Sequence, residues 1–313
     1  MDRDLLVHFP IILAVARRSG FASAAKSLNM SPSAVSHAVK AVEDRLGQPL
    51  FARTTRSVAL TEAGADFVAM IGPALATVEE GVERVRSSKG QVAGVLRLNT
   101  PRLALPLAIT PTLTAMSRLY PDLTIEVTLD EGLVDIIAGG FDAGVRLGEM
   151  IAQDMVAVRL TKPFSAIMVA APAYLDQRGA PRSIAELSQH NCIGYRLIAS
   201  DTAYAWDLQD RGQDIPVSVS GTVRVTDSMY ARELALEGVG IAYLFEPLVR
   251  DDLRAGRLGR VLPETSIEEP GLFLYFPRYA SEAPKLRAFI DVARRSLRAG
   301  WSGPRDETHE PHP

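Results

Sequence analysis

The sequence contains few of the residues that form redox, metal or disulfide sites. Its 313 residues include one cysteine, Cys192, which excludes a disulfide framework and a thiolate cluster and fits a reducing compartment. Cys192 lies in the apolar segment NCIGY, where an inert core thiol is expected. A redox sensor is the alternative, although no resolving cysteine accompanies it. The five histidines are scattered, without the spacing of metal ligands, so we expect neither a metal nor a cofactor.

Long apolar runs and catalytic motifs are also lacking. The apolar stretch FPIILAVA is short and ends at Arg17 and Arg18, so it predicts neither a signal peptide nor a membrane-spanning helix. No phosphate loop occurs, and the patterns GxGxxG, HExxH, CxxC and GxSxG are missing. The sequence thus predicts a cytoplasmic protein that does not bind a membrane and has no catalytic residues.

Charge is distributed unevenly along the chain. The formal net charge is -3, and 47% of the residues are hydrophobic, enough for a small domain and a larger one with a core. Residues 1–60 contain eight Lys/Arg and four Asp/Glu, which makes this part +4 and leaves -7 for the remainder. A small basic part attached to an acidic bulk is typical of a protein whose basic end meets a polyanion.

Residues 21–46 predict two helices joined by a tight turn. The first is the alanine-rich FASAAKSL, and the second begins with Ser31 as its N-cap and Pro32 as its first residue. Gly47 supplies the C-terminal stop. The second helix has an apolar stripe that predicts its buried side, formed by Val35, Val39, Val42 and Leu46, with Ala38 beside it.

The opposite side of the second helix is polar and carries Ser33, Ser36, His37 and Lys40. Two short helices in this arrangement form a helix-turn-helix, whose second helix enters the DNA major groove. Serine hydroxyls can bond base edges and phosphates at short range, and a lysine can reach a phosphate. An ordinary solvated face is the alternative interpretation.

The segment QPLFARTTRSVALT predicts a hairpin directly after these helices. Two short extended stretches enclose a basic tip, at which Arg53 and Arg56 flank Thr54 and Thr55. Arginines on a hairpin next to a recognition helix can hold phosphates or enter a narrow minor groove. We interpret the hairpin as a wing, and two solubilising arginines are the alternative.

The run AAKSLNMSPSAVSHAVKAVEDRLGQPLFARTTRSVALTEAG resembles the N-terminal winged helix-turn-helix of the LysR family of bacterial transcriptional regulators. The shared features are the paired alanines, the helix SAVSHAVK, the pattern E-x-x-LG-x-PLF-x-R and the closing LTEAG. The usual Gly-Ser-Phe of the family is replaced by Ser19-Gly20-Phe21. Together with this resemblance, the predicted DNA-contacting residues are Ser31, Pro32, Ser33, Ser36, His37, Lys40, Arg53, Thr54 and Arg56.

A long helix that is capped by Thr61 and begins with Glu62 is predicted to connect the two parts of the chain. Its apolar residues recur at intervals of three and four and form a seam of Phe67, Ile71, Leu75, Val78, Val82 and Val85. A helix between two domains has no core of its own to cover such a seam, so we expect a second chain to cover it. Packing within the chain is the alternative. In proteins that resemble LysR, the corresponding helix forms a dimer interface.

From residue 92 onwards, apolar strands alternate with helices, which predicts α/β layers around mostly parallel sheets. Helices are expected at 103–118, 133–139, 228–237 and 283–298. The simplest arrangement is two α/β lobes with a cleft between them. The resemblance implies that this is the periplasmic-binding-protein-like effector domain of the family.

The predicted fold is an N-terminal, all-α winged helix-turn-helix with a long linker helix, followed by a C-terminal α/β two-lobed domain. The predicted boundaries are 1–60 for the DNA-binding domain, 61–90 for the linker helix, 91–300 for the effector domain and 301–313 for a disordered tail. Lobe I is expected to comprise 92–161 and 266–300, and lobe II is expected to comprise 162–265.

Ligands of such sheets bind at the carboxyl ends of strands, near helix N-termini. Two positions are expected to cap helices there, Thr100 before Pro101 and Asp227 in the other lobe. The candidate effector-binding residues lie at or just after strand ends and are Thr100, Arg102, Arg146, Tyr195, Asp227 and Phe245. Two arginines and a helix N-terminus favour an anionic or carboxylate-bearing small molecule. Each residue also has a structural interpretation, as a cap, an ion-pair member or a core residue.

These features predict a sequence-specific transcriptional regulator that binds double-stranded promoter DNA and responds to a small-molecule effector. The expected assembly is a homodimer that pairs into a homotetramer and has RNA polymerase as a further partner. A small-molecule binding protein or an enzyme whose N-terminal helices serve only for assembly is one alternative. A DNA-binding protein with a silent pocket is another.

Overall fold

The structure of the chain is a computed structural model that describes most of its residues. The described ranges are 3–53, 58–86, 92–132, 135–148, 151, 155–198 and 200–298. The linker at 87–91 and the predicted tail at 301–313 lie outside them.

The N-terminal part consists of short helices, a hairpin and one long helix. Its elements are α1 Arg3–Leu6, α2 Phe9–Arg18, α3 Phe21–Ser27, α4 Pro32–Leu46, β1 Phe51–Arg53, β2 Val58–Leu60 and α5 Glu62–Arg86. Pro10 lies in the first turn of α2. Backbone N–H groups there have no partner within the helix, so the missing N–H of proline costs no hydrogen bond. A shared apolar core holds these elements together and includes Ile12, Ala25, Val35 and Leu50.

Helices α3 and α4 form the predicted helix-turn-helix. The Ser31 hydroxyl accepts a hydrogen bond from the N–H of Ala34 at 3.2 Å and so caps α4, as predicted. Gly47 ends α4 with a φ of +67°, a left-handed conformation that favours glycine. The three valines of the predicted stripe are buried, but the prediction is wrong for Leu46, which is 40% exposed. Leu46 is the last residue of α4, beyond the reach of the core.

The predicted seam along α5 is divided between two environments. Phe67 packs edge-on against Phe9 with 5.2 Å between ring centroids, and Ile71 is buried in the N-terminal core, which Leu75 joins from its rim. For these three residues the intrachain alternative is correct, because α5 lies along the side of the domain. Among the described side chains of α5, the large apolar residues that are exposed are Met70, Val78 and Val82, with 69%, 62% and 46% of their surface accessible. The side chain of Val85 lies outside the described residues.

The C-terminal part alternates strands and helices. Its helices include α6 Thr110–Leu119, α7 Pro172–Arg178, α8 Ser228–Leu236, α9 Glu246–Arg254 and α10 Pro284–Arg298. The strands of lobe I are β3 Gly94–Thr100, β4 Leu123–Leu129, β5 Ala143–Leu147, β6 Met155–Arg159 and β16 Leu272–Pro277. The strands of lobe II are β7 Phe164–Ala170, β8 Cys192–Arg196, β9 Ala203–Tyr204, β10 Trp206–Asp210, β11 Gln213–Val217, β12 Arg224–Val225, β13 Ile241–Phe245, β14 Gly259–Val261 and β15 Ile267–Glu269.

The two lobes each contain a mixed sheet. The lobe I order is β4-β3-β5-β16-β6, and the lobe II order is β12-β8-β13-β7-β14, with β9 beside β8 and β15 beside β7. Strand β3 runs parallel to β4 and β5, whereas β16 runs antiparallel to β5 and β6. The prediction of mostly parallel sheets is therefore wrong, because strands that return from the other lobe enter each sheet in the opposite direction.

Three helix or boundary predictions also need correction. Strand β15 pairs with β7, so residues 266–269 belong to lobe II rather than lobe I. The helix expected at 103–118 is a π-helix, Leu105–Ile109, that continues into α6. In place of the helix expected at 133–139, the described residues 135–140 form turns. There the Asp135 carboxylate accepts hydrogen bonds from the N–H groups of residues 137 and 138, and two glycines follow.

An intrachain contact joins the N-terminal part to lobe I. Arg17 of α2 lies against Gly140, where an added Cβ would be 2.4 Å from the Arg17 Cζ. Gly72 of α5 lies near Ile137, and a Cβ at Gly72 would be 3.8 Å from the Ile137 Cγ2. Helix α5 also packs against the short 3-10 helix Arg278–Glu282. The N-terminal part of the chain therefore packs against the turn at 135–140 of lobe I.

Gly140→Ala should open this contact. Its φ of +71° costs an alanine roughly 1–2 kcal/mol, and the new methyl group would displace the Arg17 guanidinium. Gly256→Ala is the matched control, because Gly256 has a φ of +69° and empty space around its Cβ position. Both variants should lose similar free energy of unfolding, but only Gly140→Ala should raise amide hydrogen exchange in α2. Equal exchange in α2 of the two variants would contradict the contact.

Candidate functional site

The polar face of α4 is accessible along its length. Ser33, His37 and Lys40 are exposed, and Ser36 is half-buried between them. Pro32 is exposed at the start of the helix, and the Ser31 hydroxyl lies 3.0 Å from that of Ser33 in addition to capping α4. Four of the residues that sequence reasoning assigned to DNA contact, Ser33, Ser36, His37 and Lys40, therefore lie on one face of α4, directed away from the core. The assignment of each to a base or phosphate remains a prediction.

The wing is fixed to α4 by one carboxylate. Strands β1 and β2 pair antiparallel with Phe51 opposite Leu60. Glu43 of α4 accepts hydrogen bonds from the N–H of Leu50 at 2.9 Å and from the N–H of Phe51 at 3.2 Å, so the hairpin and the helix move together. Arg53 is the last residue of β1. Thr54 and Arg56 lie outside the described residues.

A buried arginine marks the cleft side of lobe I. Arg146 on β5 is 3% exposed, and its Nη2 donates to the Asn99 Oδ1 at 2.7 Å and to the Gly132 carbonyl at 2.6 Å. Its Nη1 donates to the Val145 carbonyl at 2.7 Å. The Nε of Arg146 and the Nδ2 of Asn99 are buried without a hydrogen-bond partner. Burial lowers the pKa of this guanidinium. Two donors in this cluster thus remain available for an acceptor.

Thr100 and Asp227 were both predicted to cap a helix, and only Asp227 does so. Thr100 is fully buried, and its hydroxyl lies 3.3 Å from the Pro101 carbonyl rather than at a helix N-terminus, because the following helix starts only at Leu105. The prediction that Thr100 caps a helix is therefore wrong. Asp227 does cap α8, since its Oδ1 accepts a hydrogen bond from the N–H of Tyr230 at 2.7 Å.

An ion pair crosses from one lobe to the other. The Arg102 Nε of lobe I lies 3.0 Å from the Asp227 Oδ2 of lobe II. The backbone N–H of Arg102 donates to Glu131 at 2.8 Å. Burial raises the pKa of Glu131, as does the nearby Asp227 charge, while the charges of Arg146 and Arg102 oppose the shift. The charges of Arg102, Glu131, Arg146 and Asp227 therefore lie close enough to influence one another.

The two aromatic candidates lie in different surroundings. The Tyr195 hydroxyl donates to the Tyr243 carbonyl at 3.2 Å. Burial raises the pKa of Tyr195, and the carboxylates of Asp227 and Glu131 raise it further, which places this ring beside the acidic pair. Phe245 instead packs against Phe164 with 5.1 Å between ring centroids, at the apolar junction of the lobes.

Sequence reasoning missed Asn99 and Glu131. Asn99 adjoins Thr100 at the end of β3, and Glu131 follows the end of β4, so both fit the strand-end rule that selected the other candidates. Ser228, the residue after Asp227, also has a buried hydroxyl without a partner. Its signal was its place at the first position of α8.

A separate cavity of about 270 Å³ lies between the π-helix, α9 and α10, and it is lined in part by Leu107, Lys162, Arg250 and Leu297. The predicted effector residues do not line it. Arg250 is already paired with Glu246 at 2.8 Å. We therefore place the candidate effector site at Arg146, where buried donors lack partners.

Three further expectations concern metals, thiols and membranes. Within the described ranges, His, Cys, Asp and Glu side chains do not gather into a group that could hold a metal ion. Burial raises the pKa of the Cys192 thiol to about 11, so it stays protonated at neutral pH. The helices in the described part of the chain are too short or too polar to cross a bilayer.

Comparison with known proteins gives the same assignment for both parts of the chain. Residues 6–65 match the bacterial regulatory helix-turn-helix protein, lysR family, and residues 89–298 match the LysR substrate binding domain. The uncharacterized HTH-type transcriptional regulator YcaN of Escherichia coli K12 is 35% identical over 91% of this chain and 93% of its own length. The HTH-type transcriptional regulator PgrR of the same organism is 32% identical over 93% of this chain and 97% of its own length.

Among solved structures, the LysR-type transcriptional regulator CrgA from Neisseria meningitidis is similar over 93% of this chain and 98% of its own, with a TM-score of 0.60 and 28% identity. Both domains, in the same order, are thus shared with full-length regulators. The chain belongs to the LysR family and is a DNA-binding transcriptional regulator with an effector-binding domain, not an enzyme.

Proposed function

We propose that this regulator reads its operator with Ser33, Ser36, His37 and Lys40 of α4 and holds the flanking backbone with Arg53, Thr54 and Arg56 of the wing. The exposed polar face of α4 supports the first assignment, and the hydrogen bonds of Glu43 to the hairpin support the second. The effector binds between the lobes with an anionic group on Arg146. The observation that carries this site is the pair of buried, unbonded N–H groups at Arg146 and Asn99.

The proposal includes a dimer formed through the exposed end of α5, whose apolar Val78 and Val82 lie beyond the cover of the domain. Two subunits would then present two copies of α4 to the halves of an inverted repeat. Pairing of two dimers into a tetramer, contact with RNA polymerase and a cytoplasmic location complete the proposal, and the family assignment supports them.

The proposal also includes a route from the cleft to the DNA-binding domain. The carbonyl of Gly132 accepts a hydrogen bond from Arg146, and the turn at 135–140 that follows holds Arg17 of α2. A ligand carboxylate on the Nε of Arg146 would shift the guanidinium and so disturb the hydrogen bond from its Nη2 to the Gly132 carbonyl. A shift of the turn at 135–140 would then change how the N-terminal part packs on lobe I.

The test is the thermal stabilisation of the full-length protein by small carboxylates and amino acids, compared between Arg146→Met and Arg250→Met. A ligand that binds the native state raises its unfolding free energy by about 2.7 kcal/mol at a hundred times its Kd. We expect Arg250→Met to keep this stabilisation and Arg146→Met to lose it, with low-salt DNA binding retained by both. A ligand that stabilises Arg146→Met as well as the native chain would place the effector elsewhere.

A further inference from the structure

The charge of Arg146 has no carboxylate partner within hydrogen-bond distance in the described structure. Its hydrogen bonds all go to neutral oxygens, the carbonyls of Val145 and Gly132 and the amide oxygen of Asn99. An ion removed from water is costly unless an opposite charge or a full set of hydrogen bonds replaces the solvent. Arg146 is 3% exposed and still has an unbonded Nε, so its environment is incomplete.

Glu131 is the complementary case. Its side chain accepts one hydrogen bond, from the backbone N–H of Arg102, while the Arg102 guanidinium is directed to Asp227 instead. Glu131 is half-buried, and burial raises its pKa. Among the described side chains, no cation forms an ion pair with it. Asp130, whose Oδ1 accepts a hydrogen bond from the N–H of Gly132, is a further carboxylate near Arg146. The cleft thus contains an arginine and a glutamate that form no ion pair with each other, in addition to the paired Arg102 and Asp227.

Arg146 and Glu131 lie close together, because the Gly132 carbonyl that accepts a hydrogen bond from Arg146 directly follows Glu131 in the chain. The charge of each residue shifts the pKa of the other, and the charges of Asp227 and Arg102 also shift the pKa of Glu131. A simple anion placed on Arg146 would add a further negative charge to those of Glu131, Asp130 and Asp227. A simple cation would leave the guanidinium unpaired. A ligand that carries both charges pairs both residues and leaves the net charge of the cleft unchanged.

We propose that the effector is a compact zwitterion of the α-amino acid class, with its carboxylate on Arg146 and Asn99 and its ammonium group on Glu131. This inference rests on the proposed function, since it concerns the same cleft. The carboxylate would supply acceptors for the Nε of Arg146 and the Nδ2 of Asn99, both of which lack one. Lobe II supplies Asp227 beside the ammonium group and the unbonded hydroxyl of Ser228 for the remainder of the ligand.

The experiment is calorimetric titration of the full-length protein with the common L-α-amino acids. Each amino acid that binds is then compared with its 2-oxo acid, which lacks the ammonium group, and with its methyl ester, which lacks the carboxylate. We expect both replacements to weaken binding at least tenfold, which corresponds to about 1.4 kcal/mol. Glu131→Gln should remove the preference over the 2-oxo acid, whereas Arg146→Met should abolish binding of both.

Glu126→Gln is the matched control, because Glu126 is an exposed carboxylate that pairs with Arg97 on the same lobe. It should bind like the native chain. Equal or tighter binding of the 2-oxo acid or of a dicarboxylate, lost in Arg146→Met, would overturn the zwitterion and leave the effector site in place. Binding that survives Arg146→Met would overturn both. If no amino acid binds at concentrations up to about 10 mM, the zwitterion is also overturned.

Discussion

Placing glutamate at both Val78 and Val82 should dissociate the regulator into monomers and lower its operator affinity on the order of 100-fold or more. The two valines are 62% and 46% exposed and continue the apolar stripe of α5 past the point where the domain covers it. Negative charges at the centre of a helix–helix contact would be buried without partners on the second chain. Sedimentation velocity gives the assembly state, and titration of an inverted-repeat operator gives the affinity.

The fold of a single chain should survive this change, because substitutions at exposed helix positions alter stability little. Ala69→Glu is the matched control, since Ala69 is exposed on the same helix without belonging to the stripe. It should remain dimeric and bind the operator normally. A dimer that persists with both glutamates in place would show that the chains associate through another surface.

The N-terminal domain was predictable from sequence because its signals are local. Ser31 caps α4, Pro32 starts it and Gly47 ends it, and each acts within a few residues of its own position. The α5 seam was predicted as one surface, but the structure divides it. Periodicity identifies an apolar stripe and does not identify what covers it, so the packing of Phe67 against Phe9 was not visible in the pattern.

The cleft was only partly predictable, because its geometry depends on residues far apart in sequence. Asn99 and Arg146 are 47 positions apart and meet only because β3 and β5 are neighbours. The strand-end rule selected Arg102 and Asp227, and the structure brings them together as an ion pair between the lobes. Strand β15 was assigned to the wrong lobe because a three-residue strand has no pattern that reveals its partner.

Alanine at both Ser36 and His37 should lower the discrimination between operator and random DNA on the order of 100-fold while leaving random DNA binding almost unchanged. Both side chains lie on the accessible face of α4, and a good contact to a base contributes roughly 1–3 kcal/mol of discrimination. Alanine is the best helix former, so the helix itself should not suffer. Competition titrations with operator and random duplexes, at several salt concentrations, give both affinities.

Lys40→Ala separates base reading from charge on the same helix face. Lys40 is exposed one turn further along α4, where an ammonium group meets phosphates rather than bases. Its loss should weaken operator and random DNA by similar factors and reduce the salt slope by about one counterion. If the Ser36 and His37 change behaves like Lys40→Ala, with equal losses on both DNAs, α4 holds the duplex without reading it. Specificity would then have to come from the wing or from the shape of the DNA.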